Sequence, residues 1–176
     1  MFHHGPHGPP HGPGFGPGYA QGGYGPQGGF GPQANVPVVQ EGQGVCICSA
    51  VNPKLCLDVK EGSKKDRARI ILFDYTGNAN QVWIRQGNSL ISKSSGKALD
   101  IEGGEGEGKN VIQFTKNNGA NQNFQITVGN SSGVVYITSP AGLALTVKNN
   151  NINKCEEIVV SRLTGAHNQL WVLSYV

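Results

Sequence analysis

Gly119-Ala120-Asn121-Gln122-Asn123-Phe124 has two counterparts in this chain, Gly77-Asn78-Ala79-Asn80-Gln81-Val82-Trp83 and Gly165-Ala166-His167-Asn168-Gln169-Leu170-Trp171. Each copy reads Asn-Gln, one intervening residue, then a large aromatic, and the glutamines stand 41 and 47 residues apart. A period in that range marks a fold built from copies of one unit, none of which buries its apolar face alone.

Working outward, apolar and β-branched runs are broken by Gly, Asn, Ser and Lys every 8 to 12 residues. Examples are Arg69-Ile70-Ile71-Leu72-Phe73, Asn110-Val111-Ile112-Gln113-Phe114 and Val134-Val135-Tyr136-Ile137-Thr138. No window of 11 residues keeps an apolar helical face, so the pattern predicts an all-β fold. Aligned on the three asparagines, Leu57-Asp58-Val59, Leu99-Asp100-Ile101 and Leu145-Thr146-Val147 fall 22, 21 and 22 residues upstream. Phe73, Phe114 and Ser161 each precede their asparagine by seven. Each unit therefore reads as four short strands, about twelve in all. The units span about 45–87, 88–129 and 130–176.

Residues 1–40 differ in kind. They hold 12 of the 27 glycines, 8 of the 10 prolines and 4 of the 5 histidines, with no Lys, Arg, Asp or Glu. So few branched apolar residues cannot offset the entropy of ordering the backbone, and a disordered tail is expected there, ahead of one domain over 41–176. Phe15, Tyr19, Tyr24 and Phe30 recur in a Gly/Pro/Gln background, a pattern that fits either weak self-association points or a soluble flexible spacer. His3, His4, His7 and His11 lie among glycine and proline, which fix no ligand geometry, so no metal and no cofactor is assigned.

A net charge of +3 from 14 basic and 11 acidic residues is too small and mixed for a nucleic-acid surface. No run approaches the ~18 apolar residues of a membrane span, and no secretory leader is read, so the default address is cytoplasmic, with non-standard export as the other route. In a reducing compartment Cys46, Cys48, Cys56 and Cys155 are expected reduced, buried and structural. Glu102 to Gly108 lacks the Asp/Asn spacing of a calcium loop and reads as a solvated turn. His167 has no Ser or Cys nucleophile motif beside it, and no enzyme is expected.

With these motifs in place, the chain resembles the ricin-type β-trefoil lectins. The resemblance covers roughly 44–176 and rests on Gln81-Val82-Trp83, Gln169-Leu170-Trp171 and the conservative Gln122-Asn123-Phe124, with Leu-Asp-apolar near the start of two units. It implies a β-trefoil in which Gln81, Trp83, Gln122, Phe124, Gln169 and Trp171 belong to the frame. It also implies two carbohydrate pockets, Asp58, Phe73 and Asn80 in the first lobe and Asp100, Phe114 and Asn121 in the second. In each, Asp and Asn would bond sugar hydroxyls and Phe would stack on a galactose-like ring. The third lobe, with Thr146 and Ser161, would be silent. The implied partners are glycans or glycoproteins. A lobe-bridging disulfide found in secreted members would be absent, since Tyr75 stands where the partner of Cys56 would be. The other readings are a trefoil scaffold that binds protein, and inhibition of a protease through a loop.

Overall fold

Alternation in Leu57-Asp58-Val59 sends Leu57 and Val59 to one face of a strand and Asp58 to the other, because successive side chains on a strand point to opposite sides. This two-faced pattern recurs through the computed structural model, which describes residues 38–176. The tail read over 1–40 lies outside the described residues apart from its last three, and with it the spaced aromatics and the histidines at its start.

Among the described residues twelve strands fall four to a unit. The first unit holds β1 (Gly44–Ser49), β2 (Leu55–Val59), β3 (Ala68–Asp74) and β4 (Trp83–Gln86). The second holds β5 (Ser89–Ser92), β6 (Ala98–Ile101), β7 (Val111–Phe114) and β8 (Gln125–Val128). The third holds β9 (Val135–Thr138), β10 (Leu143–Val147), β11 (Ile158–Arg162) and β12 (Trp171–Tyr175). All pairings are antiparallel. Units join through β4–β5, β8–β9 and β12–β1, with registers such as Trp83↔Ser92 and Trp171↔Ser49. Closure of β12 on β1 gives the barrel core of a β-trefoil.

The hairpins β2–β3, β6–β7 and β10–β11 cap this barrel. They also touch one another in a ring: β3 pairs β7 through Ala68↔Gln113, Asn110 bridges Val159, and Ile71 bridges Glu157. Each hairpin therefore presents its outer face beside its neighbour's loop.

The core carries the repeat inward. Trp83, Phe124 and Trp171 are fully buried, as are Leu57, Leu99 and Leu145. Burying one such side chain contributes about 1.5–3 kcal/mol, which none of the units could collect alone. Trp171 Nε1 donates to the Leu145 carbonyl at 3.2 Å.

The cysteines depart from expectation. Cys48 and Cys56 form a disulfide, whereas Cys46 is buried and free and Cys155 is exposed and free. Cys48 stands directly opposite Cys56 in the β1–β2 register, so strand pairing brings the two together across eight residues of chain. The bridge implied for secreted relatives is not this one. Cys56 nevertheless has a sulfur partner, and Cys155 is not a core residue.

Candidate functional site

In the first unit the β2–β3 register sets Asp58 opposite Ile71 and Cys56 opposite Phe73. Asp58, Ile71 and Phe73 thus share the outer face while Leu57, Ile70 and Leu72 enter the core. A 3-10 turn, Ala79–Gln81, brings the adjacent Asn80 and Gln81 against this face from 22 and 23 residues downstream. Both amides donate to the same oxygen of Asp58: Asn80 Nδ2 to Oδ2 at 2.9 Å and Gln81 Nε2 to Oδ2 at 2.8 Å. Oδ1 accepts no hydrogen bond among the described residues, and Asp58 lines a cavity of about 380 Å³. That cavity is lined by Asp58, Ile71, Phe73, Asn80, the turn Lys60–Gly62 and Cys155.

Gln81 itself is fully buried and fully used. Besides Asp58, its Nε2 donates to the Asp74 carbonyl at 2.8 Å. Its Oε1 accepts from Thr76 N at 2.8 Å, Thr76 Oγ1 at 3.1 Å and Gly77 N at 3.2 Å. The residue therefore ties the end of β3 to its following turn and orients the carboxylate of β2. Gln81 positions Asp58, and Asn80 flanks the cavity.

The second unit repeats the arrangement with one change. Asn121 Nδ2 donates to Asp100 Oδ1 at 3.0 Å and Gln122 Nε2 to Oδ2 at 2.8 Å, so each carboxylate oxygen keeps one acceptor site. Gln122 also bonds the Thr115 carbonyl at 3.1 Å and accepts from Asn117 N at 2.8 Å. Asp100, Ile112, Phe114 and Asn121 line a cavity of about 300 Å³ with Glu102, Gly103, Gly104 and Arg67. Both volumes lie at the small end of the ~300–1,000 Å³ usual for small-molecule sites.

The third unit replaces the carboxylate and the aromatic by two hydroxyls that satisfy each other. Thr146 Oγ1 and Ser161 Oγ lie 2.8 Å apart, and Gln169 Nε2 donates to both. Asn168 Nδ2 is spent on the Val147 carbonyl at 3.0 Å.

The turn after each carboxylate position reverses in the same way. Glu61, Gly103 and Asn149 are left-handed at φ 59°, 73° and 55°, and so are the residues that follow them, Gly62, Gly104 and Asn150. This reversal folds Lys60–Gly62 and Glu102–Gly104 over the cavities. The acidic side chains of the Glu102 to Gly108 loop diverge. Glu102 pairs with Arg69 at 2.7 Å, Glu105 accepts from Ala141 N and Glu107 from Arg162 N. Among the described residues no three or more His, Cys, Asp or Glu side chains gather as metal ligands.

Sequence reasoning missed the side chains lent by neighbouring lobes: Cys155 at the first cavity and Arg67 at the second. The available signal was their shared offset, six residues before Ser161 and Phe73 respectively. Lys154, next to Cys155, sets its Nζ 4.2 Å from the centre of the Phe73 ring while pairing with Asp74 at 2.5 Å.

Burial raises the pKa of Asp58 above the ordinary 3.8, against the opposing hydrogen bonds from Gln81 and Asn80. Asp100 is raised likewise by burial, opposed by Gln122 and Asn121, and pushed further up by Glu102 and Asp66. A carboxylate that must accept hydrogen bonds from a ligand works only when ionised. Affinity titrated downward from neutral pH is therefore expected to fall with a midpoint above 3.8, then about tenfold per pH unit. For folding the sign is opposite: raised carboxyl pKa values mean the native state holds protons the unfolded chain releases. Their contribution to stability is complete below 3.8 and is lost as pH rises through the raised values. Asp66 and Glu157, lowered chiefly by Lys97 and Lys148, keep their stabilising charge until pH drops below the ordinary carboxylate range. Ligand titration followed beside circular dichroism should show binding lost from a folded domain.

Comparison with known proteins agrees with this architecture. No curated protein sequence matches the chain. Among solved structures, a designed three-fold symmetric protein, ThreeFoil, is similar at 28% identity and a TM-score of 0.70, covering 76% of this chain and 99% of its own. The Macrolepiota procera ricin B-like lectin, solved with lactose, shares the fold at 20% identity and a TM-score of 0.67, with 78% of this chain and 98% of that one covered. The C-half of an earthworm R-type lectin, solved with GalNAc, shares it at 18% identity and a TM-score of 0.64, with 76% and 99% covered. The description of the ricin-type beta-trefoil lectin domain matches residues 45–171, nearly all of the folded part, and the chain belongs to that family.

Proposed function

We propose that this domain is a non-enzymatic lectin that recognises terminal galactose or N-acetylgalactosamine on glycans and glycoproteins through its first and second lobes. The observation that carries the reading is a pair of equivalent cavities. Each has a buried carboxylate with unspent acceptor sites on its floor, an Asn amide beside it and a half-buried Phe on its wall. An ionised carboxylate bonded to sugar hydroxyls contributes roughly 1.5–3 kcal/mol, and stacking on Phe about 0.5–1.5 kcal/mol. With one neutral bond from Asn, an isolated site reaches on the order of 4–5 kcal/mol, a millimolar dissociation constant. Two sites on one domain, or several chains gathered through the 1–40 segment, raise the effective affinity by about 10²–10⁴ where they engage together. The self-satisfied hydroxyl pair Thr146–Ser161 leaves the third lobe silent in this reading.

The lactose and GalNAc complexes of the two structural relatives support the sugar class. A glycan array probed with the full chain tests it. Binding to galactose-terminated glycans, competed by free galactose, is the expected result. An array without signal, or one unaffected by galactose, rejects the reading.

A further inference from the structure

Arg67, Gly108 and Cys155 occupy one position of the threefold repeat. Each precedes Phe73, Phe114 or Ser161 by six residues, and each is left-handed, at φ 66°, 77° and 71°. Each also donates its backbone N–H across a lobe boundary: Arg67 to Gln113 O at 2.9 Å, Gly108 to Val160 O at 2.7 Å and Cys155 to Leu72 O at 2.8 Å. The backbone demands a positive φ here, which glycine adopts freely and which is sterically unfavourable for other residues. Glycine stands beside the third lobe, whose hydroxyls satisfy each other. The two residues with side chains stand beside the two carboxylate cavities. A strained residue kept only where a pocket is complete points to a part in that pocket.

Arg67 is held firmly enough to act. The loop before it is tied down by Gln113, fully buried, whose Nε2 donates to Ser63 O at 2.8 Å and Lys65 O at 2.9 Å. Asp66 accepts from Thr115 N at 2.8 Å. The guanidinium itself is not consumed: it is 72% exposed, and Glu102 Oε1 lies 3.8 Å away, beyond hydrogen-bond reach, while Glu102 Oε2 holds Arg69 at 2.7 Å. Opposite it, Lys109 Nζ bonds the carbonyl of Gly103, another residue of the cavity rim, at 2.9 Å. Among the residues lining this cavity Arg67 is the one cation, facing Glu102, whose charge is shared with Arg69; Arg69 in turn lies 3.8 Å from Glu157, and Asp100 on the floor is bonded to two amides.

We propose that Arg67 makes the second pocket selective for glycans carrying an anionic substituent, a carboxylate or a sulfate ester, beside the sugar seated on Asp100, Phe114 and Asn121. The proposal rests on the carbohydrate reading of that pocket. The planar fork of guanidinium donors matches either anion, and an exposed site weakens with added salt. The Arg67 side chain acts here on specificity, while its backbone N–H belongs to the frame.

The experiment uses the full chain with Asp58→Ala, so that the second site is read, and compares lactose, 3′-sulfolactose and 3′-sialyllactose by calorimetry at low and high salt. An anionic ligand is expected to bind about three- to tenfold tighter than lactose, with the ratio shrinking as salt rises. Arg67→Gln should abolish the ratio and Arg67→Lys should keep part of it. Both variants leave the same left-handed backbone and an exposed side chain, so folding is not at issue. Preference for the sulfated ligand alone names the ester, for the sialylated ligand alone the carboxylate, and for both the charge. Equal binding of all three, or a preference that survives Arg67→Gln, overturns the proposal while leaving the lectin reading intact. Failure of every ligand, lactose included, overturns both.

Discussion

Gln81→Ala is expected to destabilise the domain by about 3–5 kcal/mol. The side chain is fully buried and its amide serves both ends of a network that spans β2, the end of β3 and the turn after it. Its loss leaves the Asp58 carboxylate with one donor in a buried position and strands the Asp74 carbonyl and the Thr76 N–H. Each orphaned neutral group costs about 1–3 kcal/mol, and breaking one side of a buried charged contact reaches 3–5 kcal/mol. A urea melt should show a lower midpoint at unchanged slope, with a similar loss for Gln122→Ala. A shift below about 1 kcal/mol would mean that Gln81 is not part of the frame.

Asp58→Ala combined with Asp100→Ala should have the reverse profile, with binding lost and the fold kept. Each substitution removes the charged acceptor of one cavity, about 1.5–3 kcal/mol, or roughly 10- to 150-fold in affinity. From a millimolar starting point this puts the sugar beyond detection. The fold survives because Gln81 Nε2 still reaches the Asp74 carbonyl and Gln122 Nε2 the Thr115 carbonyl, and because removing a buried carboxylate also removes its desolvation cost. Sugar titration followed by NMR, with a urea melt on the same sample, separates the two effects. Undiminished binding in the double variant would place the glycan elsewhere.

The contrast between these variants divides a repeat that looks uniform in sequence. Asn and Gln are neighbours in every copy, yet the 3-10 turn aims Gln inward and leaves Asn half-buried at the rim. A turn with about three residues per revolution separates adjacent side chains widely, so neighbours in sequence take different tasks.

The sequence by itself determined the all-β class, the threefold repeat and the four-strand unit. It did so because alternation along a strand and recurrence of Asn-Gln-x-aromatic are local properties that survive in one dimension. The same ruler placed Asp58, Phe73 and Asn80, and Asp100, Phe114 and Asn121, in equivalent positions. Tertiary structure alone decided what crosses a unit boundary. The Cys48–Cys56 bridge follows from the β1–β2 register, and Gln113, at a position where the other lobes carry the apolar Leu72 and Val160, turns out to anchor the loop of another lobe. Arg67 and Cys155 reach the pockets of lobes they do not belong to, because ring closure of the three hairpins sets which loop abuts which cavity. That adjacency depends on how the repeats close in space, and a spacing along the chain does not encode it.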